Sequence, residues 1–244
     1  MNAMIFAAGL GTRLAPLTNT RPKALVEING KPLLRYAIEN FVAGGATRIV
    51  INVHHFAEQI KAYITDNKNV WPNVEFVISD ESDLLLDTGG GLAAALQYFT
   101  DDEPIVIGNA DVLSNAPIAE LYAAHKKSGR DATLVTRKRN STRQLLFDES
   151  HRLCGWTNKT TGETKMPRQA DNLHESAFCG FHIINQEVVC DMLPVRPFPI
   201  IDAYLCRAAK FDIGEIDLDA KYYWYDVGTV EKLQTATEFL NSKQ

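Results

Sequence analysis

The sequence predicts an α/β fold, a doubly wound and mainly parallel sheet with a small mixed α/β subdomain behind it. Three observations carry this. Over residues 1–137 short apolar runs alternate with amphipathic stretches, the pattern of strands joined by crossover helices. Beyond 137 polar, irregular segments surround shorter strand candidates. The first run, Met4-Ile5-Phe6-Ala7, ends directly in a glycine-rich turn, and ligand sites in such sheets lie beyond the carboxyl ends of the strands.

Strands are expected over 3–7, 48–53, 74–78, 104–107 and 132–136, each an apolar run of strand length. Helices are expected between them, over 32–42, 56–65, 90–99 and 118–127. Pro32 suits a first helical turn, where its missing N–H costs nothing, and Gly44-Gly45 suits a C-terminal stop. Past Arg137 come strands over 144–147, 153–156 and 177–184, with a loop over 159–172. A helix over 200–209, strands over 212–216 and 222–225, and a helix over 230–241 then close the chain. No internal repeat or low-complexity linker appears, so residues 1–244 read as one domain in two parts, 1–137 and 138–244.

At 244 residues an α/β chain buries about three quarters of its unfolded surface, so a full core is available. The 45% hydrophobic and 23% charged residues exclude a disordered or fibrous class. A net charge of −5 gives no global attraction to nucleic acid or membrane. Anions must then be met by local charge, which singles out the cluster Arg13, Arg21 and Lys23. The four cysteines (Cys154, Cys179, Cys190, Cys206) show no CxxC pair, which argues against a zinc or redox motif and predicts free thiols acting as small buried hydrophobes. No apolar run reaches the ~18 residues of a membrane span. No basic leader opens the chain, so a cytoplasmic location is expected.

The turn Ala7-Ala8-Gly9-Leu10-Gly11-Thr12-Arg13 is equipment for a polyphosphate. Glycines let backbone N–H groups line a concavity and approach an anion where a Cβ would block them. Arg13 and Lys23, in Arg21-Pro22-Lys23-Ala24-Leu25, supply charge. The spacing matches neither the dinucleotide GxGxxG nor the Walker sequence. Taken alone, the turn reads equally as a tight loop and Lys23 as a snorkelling side chain. Asp111 ends the strand-like Ile105-Val106-Ile107-Gly108-Asn109-Ala110 and suits Mg²⁺, a hard cation that prefers carboxylate oxygen, or else a turn or N-cap. Asp226, in Trp224-Tyr225-Asp226-Val227-Gly228-Thr229, is the second carboxylate such a metal site needs, or else an Asx turn leading to Thr229 as a helix cap. Asp87-Thr88-Gly89-Gly90-Gly91 stands before a helical stretch, where it presents backbone donors to a ligand or merely adds loop flexibility. His54 and His55 are adjacent and point to different faces, which removes them as a metal pair.

In this order and spacing, AAGLGTR with Lys23, Thr88-Gly89-Gly90-Gly91, Asn109-Ala110-Asp111 and the 224–229 segment resemble the sugar-1-phosphate nucleotidylyltransferases over nearly the whole chain. The resemblance implies a Rossmann-like nucleotidyltransferase fold, with 1–137 as nucleotide-binding half and 138–244 as acceptor-binding subdomain plus a returning strand and helix. It implies attack of a sugar 1-phosphate on the α-phosphorus of a nucleoside triphosphate, releasing pyrophosphate without a covalent intermediate, in a monomer or small homo-oligomer. Arg13, Lys23, Asp111 and Asp226 would be catalytic. Gly9, Gly11, Thr12 and Arg13 would wrap the triphosphate, Lys23 would neutralise the α-phosphate, and Asp111 and Asp226 would hold Mg²⁺. Ala7, Ala8, Thr88 and Gly90 would line the base pocket, with Asn109 also on the nucleotide side. Glu175, Cys179 and Gly180 would shape the sugar pocket.

Among short forms of this family the chain looks most like the bacterial N-acetylmuramate-1-phosphate uridylyltransferases of cell-wall recycling, implying UTP and N-acetylmuramate 1-phosphate. Guanylyl-, thymidylyl- and phosphocholine cytidylyltransferases are the rivals within the class. A non-catalytic nucleotide-sensing domain is the rival outside it, and the glycine spacing speaks against a dinucleotide oxidoreductase. The pattern departs at Ser176, where several relatives place a lysine for the acceptor phosphate, leaving Lys165, Arg168 and Arg207 as candidates. Ala24 and Ala110 stand where proline and glycine are frequent. No sizeable further domain is expected after residue 241.

Overall fold

The computed structural model describes residues 1–190 and 195–243. The first part runs through β1 (Asn2–Phe6), the hairpin β2 (Glu27–Ile28) and β3 (Lys31–Pro32), α1 (Leu33–Ala43), β4 (Arg48–Val53), α2 (Ala57–Asn67), β5 (Glu75–Asp80), α3 (Asp87–Ala95), β6 (Ile105–Asn109), β7 (Val112–Ser114), α4 (Ile118–Ser128) and β8 (Ala132–Arg137). The second runs through β9 (Arg143–Phe147), β10 (Leu153–Asn158), β11 (Thr164–Lys165), β12 (His174–Ile184), α5 (Ile200–Arg207), β13 (Ile213–Asp217), β14 (Trp224–Asp226) and α6 (Val230–Asn241).

The main sheet is ordered β5-β4-β1-β6-β12-β8-β13, with β12 antiparallel to its neighbours and the rest parallel. The expected doubly wound, mainly parallel sheet is therefore present. β12 joins the two parts. Its last residues pair with β6, its first residues with β9 of the β9-β10-β11 meander, and a register shift with Gly180 at φ +79° bends it where the partner changes.

Alternation along the strands builds a core on each face. Ala3 and Ile5 of β1, Ile49 and Ile51 of β4, and Val106 of β6 face the side covered by Ile38, Phe41, Ile60 and Ile118 of α1, α2 and α4. Met4, Val50, Ile105 and Ile107 face the side covered by Leu92 of α3 and Ala203 and Tyr204 of α5. Strands buried on both faces read as unbroken apolar runs, which is why they were legible.

Some expectations are corrected. Pro32 is the N-cap of α1 rather than a residue of its first turn. The loop expected over 159–172 contains β11, paired with β10. The β2–β3 hairpin was missed although Asn29-Gly30 at φ +53° and +73° is a strong two-residue hairpin signal. α3 begins at Asp87 rather than at the expected residue 90, so the whole stretch Asp87–Gly91 lies inside the helix instead of leading into it, and the glycines answer to packing. A Cβ would come within 2.2 Å of the Phe198 ring at Gly89, 2.2 Å of the Arg196 carbonyl oxygen at Gly90 and 2.6 Å of Glu81 Oε1 at Gly91. All four cysteines are free, but only Cys154 and Cys179 are buried; Cys190 and Cys206 are exposed. Among the described residues no helix is long and apolar enough to cross a membrane.

Candidate functional site

β1 and β6 are parallel neighbours in register from Asn2 opposite Ile105 to Phe6 opposite Asn109, so the residues following each strand meet. The Ala110 N–H donates to the Phe6 carbonyl at 3.0 Å, and its small buried side chain keeps this junction tight. After β1 the chain turns through residues 9–11 into the short 3₁₀ helix Thr12–Leu14. Gly11 is at φ +67°, and a Cβ there would lie 2.9 Å from both Lys23 Cβ and Thr18 Cγ2. Glycine is demanded twice over, by dihedral and by space. Thr18 Oγ1 donates to the Gly11 carbonyl at 2.9 Å, tying the turn to the segment before Lys23. Gly11→Ala is expected to cost about 1–3 kcal/mol of stability and to weaken polyphosphate binding, read by denaturant unfolding and nucleotide titration; an unchanged unfolding midpoint would mean that the turn relaxes freely.

Beneath the turn lies a polar network that the sequence reading missed. Asn52 Oδ1 accepts the Ala7 N–H at 2.8 Å, Asn52 Nδ2 donates to Glu81 Oε1 at 2.8 Å, and Glu81 Oε2 accepts the Leu86 N–H at 3.1 Å. Both side chains are buried. Burial pushes the Glu81 carboxyl above its ordinary value, against the hydrogen bonds from Asn52 and Leu86. Polar residues closing β4 and following β5 were the available signal, since buried polar groups must be paired. His54 Nδ1 meets the Glu81 carbonyl at 2.6 Å while the His55 ring packs on Phe56, so the two histidines do part.

The two carboxylates come together through the β7–β14 pair. Asp226 is opposite Val112, and the Val227 N–H donates to the Asp111 carbonyl at 2.8 Å. Each acid meets a lysine: Lys23 bonds Asp111 Oδ2, and Lys232 Nζ lies 2.7 Å from Asp226 Oδ2. The Gly228 Cα leaves room for both Arg13 and Asp226, because a Cβ there would sit 3.2 Å from Arg13 Nη2 and 2.9 Å from Asp226 Oδ1. A third apolar cluster anchors these pieces to one another: Leu14, Val26, Leu113 and Val227 pack with Leu233 and Ala236 of α6. Thr229 caps α6, its Oγ1 accepting the Lys232 N–H, so the cap reading holds for Thr229 while Asp226 itself faces the cleft.

Two clefts share Arg13, Asn109 and Asp111 as a common wall. The first, about 390 Å³, is lined by Ala7, Gly9, Gly11, Thr12, Arg13, Lys23, Thr88, Asn109 and Asp111, joined by Leu10, Ala24 and Gly228. The second, about 740 Å³, is lined by Asp226, Cys179 and Gly180 together with Arg139, Ser141, Thr142, Arg143, Gln144, Trp156, Trp224 and Lys232. Burial pushes the Cys179 thiol up to about 12, making it a packing group rather than a nucleophile.

Several expected residues lie elsewhere. Ala8 is buried and lines neither cleft. Gly90 is covered by the 196–198 segment, with its N–H and that of Gly89 donating to the Phe198 carbonyl, and a Cβ at either glycine would collide with that segment. Glu175 is exposed and pairs with Lys159 at 2.5 Å, outside both clefts. Lys165 pairs with Asp202 at 2.8 Å, Arg168 donates to the Ala208 carbonyl, and the Arg207 guanidinium lies 5.9 Å from the Phe211 ring centre; none of the three lines either cleft.

The cations that do line the second cleft are Arg13, Arg139, Arg143 and Lys232. Arg139 is held firmly, its Nη2 donating to the Phe178 carbonyl at 3.1 Å and its guanidinium 4.6 Å from the Trp224 ring centre. Its buried Nε has no partner among the described residues. The Trp224 indole N–H in turn donates to the Cys179 carbonyl at 2.7 Å. The signal that was available is the basic run Arg137-Lys138-Arg139 at the carboxyl end of β8.

A divided cleft of this kind, cationic on both sides of a pair of carboxylates, marks a protein that holds a polyanion beside a second ligand. The chain belongs to the nucleotidyl transferase family, whose model matches residues 2–145. It is 32% identical over 213 residues to an N-acetylmuramate alpha-1-phosphate uridylyltransferase of Caulobacter vibrioides, covering 85% of this chain and 84% of that protein. It is 31% identical over 247 residues to a mannose-1-phosphate guanyltransferase of Yarrowia lipolytica, covering 97% of this chain and 63% of that longer protein. The solved structure of a UDP-glucose pyrophosphorylase complexed with UDP-glucose superposes over the whole of both chains with a TM-score of 0.79 at 20% identity, a likeness of fold.

Proposed function

We propose that this protein is a Mg²⁺-dependent sugar-1-phosphate nucleotidyltransferase that moves a uridylyl group from UTP to N-acetylmuramate 1-phosphate and releases pyrophosphate. The observation that carries the reading is that Asp226 of β14 lies opposite Val112, the residue after Asp111, so that the second carboxylate stands next to the wall, formed in part by Asp111, that the two clefts share. Their donor set fits a hard dication, being two carboxylates without thiolate or imidazole. Mg²⁺, when bound there, would supply charge neutralisation to the phosphates of nucleotide and acceptor.

The chain's own residues would do the rest. The N–H groups of residues 9–13 cradle the distal phosphates, and Arg13 neutralises the pyrophosphate as it leaves. Lys23, 13% exposed and anchored beside Asp111, meets the charge that grows on the α-phosphate oxygens. The attacking phosphate oxygen is already an anion. No general base is required, and alignment supplies the remaining acceleration.

Arg139 and Arg143 bring the acceptor cleft more positive charge than a 1-phosphate alone demands, and this supports an acceptor with a second anion, such as the lactyl carboxylate of N-acetylmuramate. Arg139→Met is expected to raise KM for N-acetylmuramate 1-phosphate about tenfold or more with little change in KM for UTP. An equal loss with N-acetylglucosamine 1-phosphate, which lacks the carboxylate, would assign the guanidinium to the phosphate instead.

The deciding experiment is a panel of UTP, GTP, dTTP and CTP against N-acetylmuramate, N-acetylglucosamine, glucose and mannose 1-phosphates, with pyrophosphate release as readout. UTP with N-acetylmuramate 1-phosphate is expected to be the fastest pair. GTP with mannose 1-phosphate is the second reading, supported by the nearly equal identity to the guanyltransferase relative. Nucleotide binding without pyrophosphate in any pair would leave a sensing domain.

A further inference from the structure

We propose that His151, His174 and Glu215 form a binding site for a transition-metal dication of the Zn²⁺ kind, separate from the carboxylate pair of the cleft. None of the three lines either cleft. His174 Nε2 lies 2.5 Å and His151 Nδ1 3.1 Å from the same oxygen, Glu215 Oε1, and the ligand atoms of the three residues lie within 4.8 Å of one another. Zn²⁺ bonds of about 2.0–2.2 Å in a tetrahedral shell keep ligand atoms about 3.3 Å apart. Loading the site therefore asks for shifts of about an ångström, within reach of the exposed His151 ring.

Each ligand is already oriented by a contact that leaves its metal-facing atom available. Glu215 is buried, and its other oxygen, Oε2, accepts the Thr136 hydroxyl at 2.6 Å. The His174 ring stacks on Phe147 at 5.8 Å between centres. His151 stands at φ +58° in a turn tied to Asp148, whose Oδ1 accepts the Ser150 and Arg152 N–H groups at 2.9 and 3.0 Å and whose Oδ2 accepts the Arg152 guanidinium. A left-handed histidine is an uncommon conformation, and here it brings the imidazole to Glu215. The Thr136 hydroxyl on Glu215 Oε2 is an outer hydrogen bond of the kind that metal centres use to orient a ligating carboxylate.

The donor set selects the metal. Two imidazoles and one carboxylate suit Zn²⁺, Ni²⁺ or Cu²⁺ and not Mg²⁺, which prefers oxygen ligands throughout. His151, at 61% side-chain exposure, leaves a coordination position open to solvent. The three ligands come from the turn between β9 and β10, from the start of β12 and from β13. A metal there clamps the β9-β10-β11 meander, which forms part of the second cleft, to the main sheet.

The test is calorimetric titration of ZnCl₂ into untagged, metal-free protein in excess Mg²⁺, with His151→Ala and His174→Ala alongside. A single equivalent of micromolar affinity or tighter is expected, undisturbed by Mg²⁺ and weakened about tenfold or more in both variants. Equimolar Zn²⁺ is expected to raise the melting temperature of the parent protein but not that of His151→Ala, whose exposed position preserves the fold. Absence of saturable binding, binding equally tight in both variants, as the exposed Cys190 and Cys206 would give, or displacement by Mg²⁺ would each reduce the cluster to a hydrogen-bonded carboxylate and overturn the proposal.

Discussion

Asp111→Asn is expected to lower turnover by about three orders of magnitude or more while the protein stays folded. Asn keeps the shape and the Val227 N–H bond to the main-chain carbonyl of residue 111, so the β7–β14 pair survives. What disappears is the negative charge that meets Lys23 and that, in the proposed function, meets Mg²⁺. With both side chains partly exposed, at 13% and 24%, the lost pair is worth about 1 kcal/mol of stability. The measurement is pyrophosphate release under saturating substrates beside a thermal melt. Turnover within tenfold of the parent protein would remove Asp111 from the chemistry; a collapsed melt would mean a structural role instead.

Lys23→Met is expected to lower kcat by about a hundredfold to a thousandfold, with a smaller effect on nucleotide affinity. Met retains the apolar stem that packs beside Gly11 and Thr18, so the polyphosphate turn keeps its support. The ammonium lost is the group best placed to meet charge that develops only as the α-phosphate is attacked, and such a group acts on kcat more than on ground-state binding. Single-turnover measurement with UTP separates the two. A rise in KM alone, with kcat unchanged, would show that Lys23 binds substrate and transition state equally and takes no special part in the reaction.

How much of this was legible follows from how local each feature is. The turn at Gly9–Arg13 and Asp111 were readable because each follows an apolar run, and the end of a parallel strand is where such a sheet places ligands; Lys23 was readable as a charge set between Pro22 and the apolar Ala24-Leu25-Val26. Asp226 was readable as a motif and, by resemblance, as a second carboxylate for the site of Asp111; what local pattern could not supply is the β7–β14 pairing across half the chain that brings the two segments together. The glycines at 89–91 were visible and misjudged: their reason is the close approach of the 196–198 segment at Gly89 and Gly90 and of Glu81 at Gly91, which no local pattern announces. On the acceptor side Glu175 drew attention by resemblance, while Arg139, Arg143 and Lys232, contributed by the segment after β8, by β9 and by α6, went unnamed. The Asn52–Glu81 network stayed hidden for the same reason, because a buried hydrogen bond between two strand ends is a fact about neighbours.

By itself the sequence determined the alternation of strand and helix, the apolar strands buried on both faces, and a set of residues sufficient to mark the nucleotidyl transferase family. Those properties are written in period and spacing, which govern how a segment presents its own side chains. Only the tertiary structure decided that Arg13 and Asp111 stand between two clefts, that Lys232 reaches the second carboxylate, and that His151, His174 and Glu215 converge. Periodicity tells a chain which face to bury. It carries no record of which distant segment will lie against that face, and these sites are made of such meetings.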